Sequence, residues 1–167
     1  EGLLEDNCRV YPSGKHKPAG LLQRYGQSNE IRFGLITGSY GKNKSGGVLR
    51  KNIGEIGDEI NIDTDGTFKA PPSTGGIINT IDVLRIYGYN FSDGTYGNSL
   101  DAGGDFCDFG LSGFSDGRCT NWGNPQSEIY LESLRYFAGK NAHPNFDADD
   151  SGRIAGLITA SWSDPIN

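Results

Sequence analysis

With 167 residues, 35% of them hydrophobic, 26 glycines and a mean hydropathy of −0.50, the chain is long enough for one domain with a real core, yet rich in loop-forming residues. A formal charge of −6 and a pI near 4.8 argue against a nucleic-acid partner, which needs a basic face. The basic clusters Lys15-His16-Lys17 and Lys42-Asn43-Lys44 are short, and no run approaches the about 18 apolar residues of a membrane span, so neither nucleic acid nor membrane insertion is expected.

No signal peptide is visible, and the absence of methionine points to a processed chain or a piece of something longer. Residues 1–16 read as an irregular leading segment around Cys8. Residues 17–26 predict a short helix, with Pro18 in its first turn, Gly26 at its end, and Leu21, Leu22 and Tyr25 packing on the following strand. Residues 31–37 predict the central strand. Ile31, Phe33, Leu35 and Thr37 share one face, and Ile36 gives the other apolar character, as in a strand buried between layers. Gly38-Ser39-Tyr40-Gly41 is a turn signal, and short strands follow at 47–53 and 59–62.

An acidic turn at 61–68 precedes a linker-like break at 70–73. A helix capped by Ser73 or Thr74 then carries Ile77, Ile81 and Leu84 on one face and ends at Gly88. Residues 89–123 lack periodicity. Asn124 as cap, Pro125 in the first turn and Glu128 behind them predict a second helix, with Tyr130, Leu134 and Phe137 as its packing stripe and Gly139 as its stop. The tail returns to loop, with a short strand at 157–162.

Three features carry candidate chemistry. Cys107 and Cys119 bracket a Gly/Ser/Asp-rich loop that a disulfide would pin, stabilising by about 3 kcal/mol on the chain-entropy estimate and implying an oxidising compartment. Zinc is the rival reading of the cysteines, with His16 and His143 the only histidines to complete a site. Cys8 is expected to lack a partner within this chain. Asn61, Asp63 and Asp65 before Gly66, and Asp147, Asp149 and Ser151 before Gly152, have the alternating spacing of calcium loops. Both lack the closing Glu (the twelfth positions are Pro72 and Ile158), so solvated Asx turns are the competing reading. Finally, Tyr87, Tyr89, Phe91, Tyr96, Phe106, Phe109, Phe114 and Trp122 crowd the irregular region, where they serve either as a binding surface for sugars or proteins or as a satellite core. No nucleophile–base motif or phosphate loop is present, and a non-enzymatic protein is expected.

Several segments, in order, resemble one family. Leu3-Leu4-Glu5-Asp6-Asn7-Cys8, Lys17-Pro18-Ala19-Gly20-Leu21-Leu22-Gln23-Arg24-Tyr25, Arg32-Phe33-Gly34 with Gly46-Gly47-Val48-Leu49-Arg50, and Asn124-Pro125 with Leu134-Arg135-Tyr136-Phe137 are similar to type IV pilus tip proteins of the PilC/PilY1 kind, as is the closing Trp162-Ser163-Asp164-Pro165. The resemblance implies an α/β fold with a partial von Willebrand A-like core, elaborated by long, irregular, disulfide-pinned loops. The chain would be a single domain or a fragment of the family's N-terminal region, with an insertion over roughly residues 41–123. It implies a secreted factor that reaches the pilus tip through the periplasm and outer membrane, supports pilus biogenesis and promotes adhesion. Implied partners are minor pilins or other pilus components, the remainder of the parent protein, and a host or abiotic surface. The family's metal-dependent adhesion motif and its propeller calcium site match no residue here. A secreted carbohydrate-binding or glycan-cleaving domain is the alternative.

Overall fold

A computed structural model describes residues 4–69, 75–86, 89–90, 92–96, 115–117, 120 and 123–166. They form a mixed α/β arrangement with three small antiparallel sheets. Cys8–Val10 (β1) pairs with His16–Pro18 (β2); Leu21–Gly26 (α1) follows. Phe33–Thr37 (β3) pairs with Val48–Gly54 (β4), and a 3-10 turn spans Ile56–Asp58. Ile77–Val83 (α2), the ribbon of Tyr89–Asn90 (β5) and Thr95–Tyr96 (β6), and Gln126–Phe137 (α3) complete the described elements. None of the described helices is long and apolar enough to cross a membrane.

The inner strand is β4, not the segment around residues 31–37. Val48, Leu49, Arg50 and Lys51 are all buried, whereas β3 is half-buried and Ile31 and Gly34 are exposed. The reason lies at the strand edges. β4 has β3 on one side and the tail on the other, where the Ala160 N–H donates to Leu49 O at 2.8 Å. β3 has β4 alone among the described residues. Leu49, Tyr136 and Ala160 form the core, with Ile36, Ile53 and Trp162 against it, and Trp162 meets Tyr136 edge to face at 5.4 Å. Gly47 permits this packing, because a Cβ there would stand 3.0 Å from Glu128 O and 3.1 Å from Ile129 Cα of α3.

Several predicted elements shift. Lys17 and Pro18 belong to β2, so the first helix begins only at Leu21, where the Gly20 N–H finds Gln23 Oε1 at 2.9 Å. Its Leu21, Leu22 and Tyr25 remain exposed instead of packing on β3. The predicted strand at 59–62 reduces to a single bridge between Ile60 and Phe68. The tail at 157–162 runs beside β4 without forming a strand.

The helix expected to run to Gly88 ends at Val83, since Leu84 turns to extended backbone (ψ 125°). Ser73 and Thr74 lie outside the described residues. In place of a Ser/Thr cap, the buried Glu59 carboxylate accepts from the N–H groups of Ile77 and Ile78 at 2.9 and 3.1 Å. A distant acid thus satisfies the free donors of the first turn. Of the predicted stripe, Ile81 is exposed and Thr80 is buried in its stead.

The second helix stands where the sequence placed it, beginning at Gln126, with Gly139 (φ +62°) ending it. Its predicted stripe faces the wrong way: Tyr130, Leu134 and Phe137 are 66, 49 and 57% exposed. The inward face is carried by Ile129, Glu132 and Tyr136.

Candidate functional site

Among the described residues, a dense buried polar cluster lies where β3, β4 and the tail meet. Arg50 and Asp150 are both fully buried, with Nη2 and Oδ2 2.5 Å apart. Arg50 also donates through Nε to Thr37 Oγ1 (2.9 Å), through Nη1 to Ile158 O (3.3 Å) and through Nη2 to Gly38 O (3.1 Å). The second carboxylate oxygen of Asp150 accepts from Ser39 Oγ at 2.8 Å and the Gly41 N–H at 2.9 Å. Ser39 Oγ in turn accepts from the Lys42 N–H at 3.1 Å. A buried ion pair holds only if its remaining donors and acceptors are met, and here Nε, Nη1, Nη2 and both carboxylate oxygens have partners. The arrangement fixes backbone, and its chemistry is structural.

A second polar cluster secures α3 and the tail. The Tyr136 hydroxyl accepts from the Ile53 N–H and donates to Asn52 Oδ1, both at 3.0 Å. Asn52 also donates to Ser161 O at 2.8 Å and accepts from the Ser163 N–H at 3.0 Å. The buried Glu132 accepts from the His143 N–H at 2.9 Å, and Arg135 lies 3.0 Å from its other oxygen as an ion contact without hydrogen-bond geometry. Tyr40 bridges to the end of α2, its hydroxyl donating to Arg85 O and accepting from the Arg85 N–H; burial pushes that hydroxyl's pKa up, against the effect of the backbone bond.

The predicted calcium loops are both turns stitched by their own side chains. Asp65 Oδ1 accepts from the Thr67 hydroxyl (2.6 Å) and N–H (3.2 Å), and Oδ2 faces Lys15 Nζ at 3.0 Å. The Thr67 hydroxyl first and Lys15 second hold this carboxyl well below the usual range. Asn61 turns its amide to Thr67 Oγ1 at 3.0 Å, and Asp63 projects outward. In the other loop Asp147 accepts from the Ala148 N–H, while Asp149 accepts from the Ser151 N–H, which lowers its carboxyl pKa. A cation at the first loop would have to displace Lys15 and Thr67 from Asp65. Among the described residues no three His, Cys, Asp or Glu side chains converge as metal ligands.

Cys8 has no disulfide partner among the described residues; Cys107 and Cys119, and the side chains of the eight aromatics at 87–122, lie outside them. Of the two histidines, His143 accepts on Nδ1 from the Asn145 N–H of its own loop, and His16 lies in β2.

No motif assigns a site role to Arg50, Asp150, Glu59, Asn52 or Glu132, although Arg50 closes the family-like Gly46-Gly47-Val48-Leu49-Arg50 segment. One signal was available for Arg50, a charge directly behind the apolar pair Val48-Leu49 within a predicted strand. Asp150 stands between two residues of the acidic pattern, at the position whose side chain points inward.

Residues 33–167 match the family model described as PilY1 homolog, second domain. Two proteins of Xylella fastidiosa, both named type IV pilus biogenesis factor PilY1 homolog, align over 98% of this chain. One is 35% identical over 173 residues and the other 30% identical over 185. The chain spans 11% of the first and 14% of the second. No solved structure matches.

Proposed function

The chain belongs to the PilY1 family, and on that premise we propose that it is a non-enzymatic structural part of a type IV pilus biogenesis factor, carried at the pilus tip and contributing to adhesion. The observation that carries this reading is the match to the second-domain model over residues 33–167, together with relatives named as pilus biogenesis factors aligned over nearly all of the chain. The site chemistry supports a structural role. Arg50, Asp150, Glu59 and Glu132 are turned inward and hold backbone together.

In the same proposal, the β3–β4 pair with α3 upon it is part of a larger von Willebrand A-like core; the support is the resemblance and the packing of a helix on a sheet. The partners are minor pilins, other pilus components and the rest of the parent chain. The protein is exported to the cell surface.

Immunogold labelling of the source cells with antibody against this chain tests the reading. Label at pilus ends or in the sheared pilus fraction, lost in a strain without pili, is expected. Label spread over the envelope or medium irrespective of pili would overturn it.

A further inference from the structure

One side of the molecule is left open in two chemically matched ways. β3 pairs only with β4, and among the described residues no strand lies along its other edge, which is the kind of edge that templates a further strand. Along it, a groove of about 370 Å³ runs between the sheet and α3, bordered by Phe33, Leu35 and Ile53 on one side and Ile129, Tyr136 and Phe137 on the other. Phe137 of the groove wall is itself exposed, as is Ile31, the neighbour in sequence of the groove-lining Arg32. Exposed apolar side chains beside a groove are characteristic of binding surfaces.

The open edge selects the form of the occupant, because main-chain donors and acceptors in a row are satisfied by another extended chain. An extended chain places alternate side chains on one face, which is what an apolar groove beside a strand accepts. The source follows from two observations. Relatives carry this stretch as 11 and 14% of a much longer polypeptide, so pairing with another segment of the same chain is intramolecular and does not depend on protein concentration. A second copy is disfavoured by the repulsion of two chains of charge −6.

We propose that β3 is completed by an extended apolar segment from elsewhere in the same polypeptide, which pairs with its free edge and seats alternate side chains in the groove toward α3. The proposal rests on the family reading that this stretch is part of a longer chain; it does not depend on the pilus role.

The test uses the full-length gene product. In a Cys8→Ser background, Phe137→Cys is labelled with a benzophenone maleimide, photolysed, and mapped by mass spectrometry; Ser133→Cys, which also lines the groove, serves as a second attachment point and Lys140→Cys, beyond the helix, as control. Cross-links from both groove positions to one distant segment of the same polypeptide, absent from the control, are expected. Amide exchange over residues 33–37 in the full-length protein should be about tenfold or more slower than in the 167-residue chain. Cross-links to a second copy, to another protein or to no protein would overturn the proposal, as would equal exchange in the two forms. Failure of the pilus labelling with an intact intramolecular cross-link would overturn the tip role and leave this inference standing.

Discussion

On the β4 side, groups approaching the tail meet polar partners: Arg50 meets Asp150, Thr37, Gly38 and Ile158, and Asn52 meets Ser161 and Ser163. On the α3 side, Tyr130, Leu134 and Phe137 project outward, and β3 has no second strand beside it among the described residues. The first region is finished within the chain, and its buried charges leave it no freedom to rearrange. The second has the composition of an interior without the matter that would make it one. Closure of one side and incompleteness of the other are independent properties, so substitutions in the two should behave oppositely.

The largest effect is expected at Asp150. Asp150→Ala leaves the fully buried Arg50 without its counter-charge and should lower unfolding free energy by about 3–5 kcal/mol, read from urea denaturation. A loss within the range of a surface substitution would break the contrast. Next comes Glu59→Ala, which removes the acceptor for two amides of α2 and should cost about 1–2 kcal/mol in thermal unfolding; an unchanged Tm would mean that α2 is held by other contacts.

The double change Leu134→Ser and Phe137→Ser should alter the stability of the 167-residue chain by only about 0.5 kcal/mol per site. In the full-length protein the same change should cost clearly more, and equal costs in the two settings would erase the distinction between closed and open sides. The smallest effect concerns acid. The folded carboxyl of Asp65 lies below its usual range, so it favours the folded state above pH about 4 and that contribution fades as pH falls through the folded value. Asp65→Asn should slightly lower stability at and above pH about 4, neutrality included, and leave the acid end unchanged, so that the acid limb of a stability–pH curve flattens; the change is small because the group lies near the surface and Lys15 is exposed.

Much of the scaffold is legible in the sequence. Paired glycines ahead of Val48 locate β4, and Asn124-Pro125 locates the start of α3 to within a residue. The inward face of α3 is not legible, because a hydrophobic stripe counts Tyr130, Leu134 and Phe137 as core and has no means of seeing that Glu132 is satisfied by the His143 amide and Tyr136 by Asn52 and Ile53. The same holds for the site. The alternation at 147–151 draws attention to the side chains that remain in their own turn, whereas Asp150, between them, is defined by an arginine 100 positions earlier. The choice of β3 as the centre failed for a related reason, since apolar residues on both faces of a strand register what it could bury and not what is present to cover it.

The Arg50–Asp150 contact joins residues 100 apart, and Ser39 reaches Asp150 across 111. Loop-closure entropy must be overcome before such a contact contributes anything, so this is a late event in folding. A polypeptide threaded N-terminus first, whether from a ribosome or through a translocon, keeps Arg50 hydrated until Asp150 emerges. The ion pair thereby acts as a completion signal: the strand cannot bury its charge until the segment 100 residues further on has arrived.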